Sequence, residues 1–389
     1  MYIFVVKKNI DIVTLKRFTL IASLFCAGMQ AYAQVPPVPR ARGELRTSDS
    51  PRHAGSAISA QERTQGEGRP RAAELTQVAE LPHAKKKAVP SSDFFVSASE
   101  YDFTPIALEA IKDATSKYDK AKGIFLWICR NIKYDTQTDI RTSDECWRQR
   151  RGVCQGYCEL YYRMAEAVGL KASLVYGMSR NAQGGAEEHA WLSVETEKGD
   201  ILLDPTWGAG SVVNGEFRHL PTPLTWFDVD PLWLIFTHMP KKAKYQHLSK
   251  KVSEEQYASL CYASPLLERM GLTSSSAMQL AQDECKAFPF LQAFYARALD
   301  RLRFVDVPQS GRLKAGTSYK SVMQKLDANF ELYFKNADDV FKEEGCERSD
   351  STITFTLTPS HAGKLELVFT ALRGYVRLNN TLVEYAVEE

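Results

Sequence analysis

Between Gln34 and Ser92 there is no phenylalanine, tryptophan or tyrosine, although the 389-residue chain holds 19, 6 and 17 of them. A segment without aromatic residues buries too little apolar surface to offset the entropy of ordering. This Pro-, Arg-, Ser-, Gly- and Ala-rich stretch is therefore predicted to be a disordered tether over 34–93. An excess of one charge sign is also missing: 49 Lys and Arg stand against 47 Asp and Glu, for a net charge of +2. Residues 1–33 carry +3 of that total and 34–93 another +3, which leaves 94–389 at −4. Such a body does not fit a protein held to nucleic-acid phosphates. Long apolar runs are nearly absent as well. With a mean hydropathy of −0.30 and one such run near the N-terminus, a multi-span membrane protein is excluded. Eight cysteines are too sparse for a small domain stapled by disulfides. No internal repeat is found.

The single apolar run has the layout of an export signal over 1–33. Lys7, Lys8, Lys16 and Arg17 make a positive n-region, Phe18 to Ala31 is too short to span a bilayer, and Ala31-Tyr32-Ala33 offers a cleavage site. Cys26 does not make a lipoprotein signal, because bulky Phe25 precedes it. The expected location is secreted or periplasmic, with no integral span after cleavage. Lys85-Lys86-Lys87 is read as a solvated linker end.

Folded sequence is expected from 94 onward, divided into a core at 94–250, a helical connecting segment at 251–302 and a β-sandwich-like module at 303–389. Apolar residues at helical spacing predict helices over 106–118, 120–132 and 154–168, the last closed by Gly169. Short apolar runs at 172–177, 190–194 and 201–203 predict strands. Residues 254–302 look helical. Strict alternation at Thr352–Thr358, then Leu365–Phe369 and Thr381–Val387, predicts further strands. All six tryptophans fall between 127 and 233, which places the best-packed core there.

Three pieces carry chemistry. In Arg151-Gly152-Val153-Cys154-Gln155-Gly156-Tyr157-Cys158 a cysteine opens a helix, where unpaired backbone N–H groups and the positive helix end favour thiolate, the nucleophilic form. The bland alternative is a small buried apolar residue. In Glu187-Glu188-His189-Ala190-Trp191 a histidine enters a strand. In Leu203-Asp204-Pro205-Thr206-Trp207-Gly208 an aspartate closes one, a position that also suits ordinary turn chemistry. Two successive strands that pair would bring His189 and Asp204 to the head of the helix that Cys154 opens, as nucleophile, base and orienting carboxylate.

Four blocks in this order carry a family resemblance: Trp127-Ile128-Cys129-Arg130-Asn131-Ile132-Lys133-Tyr134-Asp135, Gly152 to Tyr157, His189-Ala190-Trp191, and Asp204 to Gly208. Together they resemble the core of the transglutaminase-like superfamily over residues 105 to 250, most of all its bacterial secreted members related to the kyphoscoliosis peptidase. The stretch from Asp230-Pro231 to Phe236-Thr237-His238-Met239-Pro240 resembles a segment that follows the core in those relatives. The resemblance implies an α+β fold with a papain-like core, its helix-borne Cys packed on an antiparallel sheet. It implies a Cys154–His189–Asp204 triad acting through a thioester. Cys158 stands where relatives often carry Ala. For the oxyanion the Cys154 backbone N–H is the first donor, and Trp127, Gln155 and Trp191 are the further candidates near oxyanion or substrate.

Other constellations are weaker. Cys129, Cys146, Cys154 and Cys158 lack the paired spacing of structural zinc sites, and Asp338 to Glu344 lacks the spaced oxygen ligands of a calcium loop. No metal or cofactor is expected. Setting Cys154 aside leaves Cys129, Cys146, Cys158, Cys261, Cys285 and Cys346 for up to three disulfides, whose pairing sequence does not choose. The expected activity is a cysteine peptidase or amidase acting on a protein or peptide. The alternatives are a protein-glutamine transglutaminase and a non-catalytic peptide-binding module.

Overall fold

A computed structural model describes residues 96–389 except 136, 183, 283–286, 327–329, 350 and 374–375. The expected signal peptide and tether, and Cys285, lie outside the described residues. The chain enters through helix α1 (Thr104–Ala110) and helix α2 (Lys117–Asn131). The helix expected over 106–118 stops at Ala110, because the chain turns at Ile111 and the extended Ser116 caps the next helix by accepting the Asp119 N–H. On α2 the buried residues are Ala121, Ile124, Phe125, Ile128 and Cys129, a stripe one helix face wide. Each of its large side chains contributes about 1.5–3 kcal/mol by leaving water.

A two-residue strand β1 (Lys133–Tyr134) pairs in parallel with β2 (Arg151–Gly152), and helix α3 (Ser143–Gln149) lies between them in sequence. Helix α4 (Cys154–Ala167) follows at once. It is buried along most of its length through Tyr157, Cys158, Leu160, Tyr161, Met164 and Ala165, so it is the central helix of the core. Gly169, at φ +74°, ends it: its N–H reaches Glu166 O and the Leu170 N–H reaches Ala165 O, which satisfies carbonyls the helix leaves open.

Strands β3 (Ala172–Arg180), β4 (Ala186–Thr196) and β5 (Gly199–Leu203) follow, each longer than its apolar run in sequence. After a short helix α5 (Pro205–Ala209), a hairpin of β6 (Gly210–Val213) and β7 (Glu216–His219) and helix α6 (Pro231–Leu234), strand β8 (His238–Pro240) returns to the sheet. Its order is β5-β4-β3-β8, antiparallel throughout. Helix α4 therefore packs on an antiparallel sheet, and the fold is α+β.

Residues 254–302 do not form the long helical patch that their composition suggests. Pro265, Gly271 and Pro289 interrupt it, leaving helices α7 (Glu254–Ser259), α8 (Ser274–Gln282) and α9 (Ala296–Leu299) with 3-10 turns between. Beyond them two sheets face each other. One is antiparallel and orders strands 302–306, 319–325, 352–357 and 347–349; the other contains 312–314, 376–388, 363–373, 331–336 and 339–342. Phe334 and Phe355, one from each sheet, meet edge to face at 5.2 Å. No helix among the described residues is long and apolar enough to cross a membrane.

Candidate active site

Cys154 is the first residue of α4, and Val153 before it provides no side-chain cap. The N–H groups of the first helical turn therefore lack side-chain acceptors and point toward the sulfur's end of the helix. This start is pressed against the loop at Ile140. A Cβ at Gly156 would lie 2.7 Å from Ile140 O, so glycine is what lets the helix seat there. Cys154 itself is half-buried.

β4 carries His189 to the same place. Its partner β5 ends at Leu203, so Asp204 emerges beside it, fully buried. His189 Nε2 lies 2.8 Å from Asp204 Oδ2. With Nε2 engaged there, Nδ1 is the nitrogen left to face Cys154, which is close enough to help raise the His189 pKa. The other Asp204 oxygen, Oδ1, accepts the backbone N–H groups of Thr206 and Trp207 at 2.8 and 3.1 Å, capping α5. The three residues brought together by sequence reasoning are thus adjacent in space.

A fourth polar residue joins them. His238, fully buried at the start of β8, places Nε2 3.2 Å from Asp204 Oδ2 and Nδ1 2.7 Å from Thr237 Oγ1. Trp191, Trp207 and Trp226 close around His238, with ring centroids 5.0, 4.6 and 5.8 Å from it, and the first two also flank His189. Trp191 stacks on His189 at 6.2 Å, and its buried Nε1 has no partner. His238, Trp207 and Trp226 were not singled out as site residues in sequence, although Trp207 stands in one of the four blocks.

The electrostatics divide the histidines. Burial pulls His189 down, but the Asp204 charge and hydrogen bond, and then Cys154, raise it overall to about 10. Burial pushes His238 down to about 4, against the attraction of Asp204. Asp204 resists the upward pull of burial and sits far below the usual carboxylate range, held by His189 first and His238 second. Burial, and then the Asp204 charge, raise Cys129 and Cys158 well above an ordinary thiol, so both stay protonated. Burial and the nearby Cys154 raise Tyr134.

Two of the remaining sequence candidates are engaged elsewhere. Gln155 Nε2 donates to Glu159 Oε1 at 2.9 Å along its own helix, and Trp127 packs against Trp147 at 5.7 Å beneath the Arg150 guanidinium. Among the described residues, Cys129, Cys146, Cys154, Cys158 and Cys346 are free thiols. His189, Asp204 and His238 bring ligand atoms within 4.8 Å of one another, as a metal site does. Those atoms already face each other at hydrogen-bond distances, so a cation would have to displace the contacts that orient His189. A recess of about 930 Å³ bordered by Arg130, His219, Trp233 and Arg297 takes in none of these residues.

Residues 105–208 match the family model of the transglutaminase-like superfamily. Over 182 residues the chain is 26% identical to the kyphoscoliosis peptidase of Mus musculus and 25% to that of Homo sapiens. Each match covers 43% of this chain and 27% of the relative's own length. Among solved structures, a candidate cysteine protease from Cytophaga hutchinsonii aligns at a TM-score of 0.25 and 18% identity, over 32% of this chain and 39% of that one.

Proposed function

On the premise that residues 105–208 belong to the transglutaminase-like superfamily, we propose that the chain is a cysteine hydrolase that cleaves a peptide or side-chain amide through a thioester on Cys154. The observation that supports this reading is the line from Cys154, at the head of α4, through His189 to Asp204 at 2.8 Å. Asp204 holds the imidazole with Nε2 toward itself and steadies it while it is protonated. The Cys154 thiolate attacks the amide carbonyl carbon, and the oxygen takes the negative charge. The Cys154 backbone N–H, which has no acceptor inside the helix, faces that oxygen. His189 then gives its proton to the leaving nitrogen, the C–N bond breaks, and the thioester remains. His189 takes a proton from water, the hydroxide adds, and the acid leaves as the C–S bond breaks. Trp191 and Trp207 keep water off the imidazoles. Gln155 and Trp127 serve structure in this reading, the first through Glu159 and the second through Trp147. Secretion follows from the residues before 34.

Incubating the protein with a peptide library and a lysine-type amine tests it by mass spectrometry. Cleaved or deamidated peptides, abolished by Cys154→Ala, are the expected result. Amine adducts in their place would make the chain a transglutaminase. Bound but unaltered peptides would make it a binding module.

A further inference from the structure

His238 lies beyond the matched residues 105–208, yet it touches the same carboxylate as His189. The position of its proton follows from its neighbours. A neutral imidazole carries one N–H. Were that hydrogen on Nδ1, the bare Nε2 lone pair would face the Asp204 carboxylate at 3.2 Å, and two acceptors would repel. The hydrogen therefore sits on Nε2 and is donated to Asp204 Oδ2. Nδ1 accepts from the Thr237 hydroxyl at 2.7 Å, a shorter contact than that hydroxyl's alternative acceptor, Leu234 O, at 3.1 Å. Burial keeps His238 neutral, which this arrangement requires.

Resting on the catalytic reading above, we propose that His238 is a positioning residue of the Cys154 centre. Its Nε2–H fixes Asp204 Oδ2 in line with His189, and the Thr237 hydroxyl supports it by donating to the Nδ1 lone pair that this tautomer leaves. Apart from the two histidines, the Asp204 carboxylate is held among the described residues through Oδ1, by the backbone N–H groups at the start of α5. Those bonds leave rotation of Oδ2 about that anchor restrained by His189 alone, the residue that must shift slightly as protons move. A second N–H on Oδ2 removes that freedom. The device is itself braced by the segment after the core. The Tyr257 hydroxyl on α7 donates to Thr237 O at 3.2 Å. The Arg180 guanidinium lies over the Tyr257 ring at 4.4 Å and donates to the carbonyls of Tyr257 and Leu260. Part of the catalytic geometry is thus built from residues 237–260.

The test reads Cys154 directly and needs no substrate: the rate of its alkylation by iodoacetamide at neutral pH, followed by peptide mass spectrometry, beside thermal unfolding. His238→Met removes the N–H while keeping the volume apolar. It should slow labelling by about 10- to 100-fold, the usual loss when a group orienting a site residue is removed. His238→Gln places an amide N–H near the Nε2 position and should recover most of the rate. Thr237→Val strips Nδ1 of its donor and should give an intermediate loss, while Asp204 keeps the hydrogen on Nε2. Equal rates in His238→Met and wild type would overturn the proposal, as would a loss in His238→Gln as large as in His238→Met at matched stability. If His238→Met does not fold, Thr237→Val decides the matter, and an unchanged rate overturns it. Failure of the catalytic reading has a different sign: wild-type Cys154 labelling no faster than a free thiol.

Discussion

His189 and His238 turn their Nε2 atoms toward one oxygen of Asp204, with ring centroids 5.3 Å apart. Two imidazoles on one carboxylate cannot both be cations cheaply in a site walled by tryptophan. The shared anion favours the proton on His189, which also faces Cys154, and His238 stays neutral. In the proposed reaction this asymmetry holds the proton where the leaving nitrogen needs it.

Asp204 has two separable duties, and two substitutions divide them. Asp204→Asn keeps an oxygen for the Thr206 and Trp207 N–H groups, so α5 stays capped, but its amide N–H₂ then faces the Nε2–H groups of two histidines. His189 is driven to the wrong tautomer, and turnover should fall by roughly 10³- to 10⁴-fold. Asp204→Ala should lose the activity and also about 0.5–2 kcal/mol of capping. Amide hydrolysis rates and urea unfolding of both variants check this, and an Asn variant as active as wild type would refute the role given to the carboxylate.

The opposite shifts of the histidines shape stability against pH. His238 is depressed from 6.5 to about 4, so its contribution is complete above pH 6.5 and is lost as pH falls through 4. His189 is raised from 6.5 to about 10, so its contribution is complete below pH 6.5 and is lost as pH rises through 10. Together they favour a maximum near pH 6.5. Urea midpoints measured from pH 4 to 10 should fall less steeply on the acid side for His238→Gln than for wild type. Identical acid limbs would show that His238 is not buried neutral.

What sequence could read was local. Thr352 to Leu357 alternates between buried and more exposed positions as its composition predicts, because one face of a strand meets a core and the other does not. Asn214-Gly215 marks the β6–β7 hairpin, with both residues at positive φ, 53° and 80°. Trp127 illustrates the limit: it shares the apolar helical spacing of Ile124 and Ile128 in sequence, yet on α2 it lies outside the buried Ile124–Phe125–Ile128 stripe and packs on Trp147 instead. His238 had no local signature for its contact. It meets Asp204 across 34 residues, only because β8 returns to the free edge of β3, and no spacing rule anticipates a return of that kind.

That return depends on Gly177. Its β3 position pairs with His189 on one side and Pro240 on the other, and a Cβ there would lie 2.0 Å from Met239 O and 2.6 Å from the Trp191 ring. The first contact is with backbone, so β8 must shift to accept a methyl group, and His238 precedes Met239 directly. Gly177→Ala should lower stability by about 1–3 kcal/mol through overpacking, and should slow Cys154 alkylation as well. Gly215→Ala is the matched control. It strains a residue at φ +80° in the open turn between β6 and β7, so it lowers stability without touching the sheet. Labelling rates compared at equal fractions folded separate the two effects. A Gly177→Ala protein that labels as fast as Gly215→Ala would mean that the β3–β8 approach does not set the geometry at Asp204.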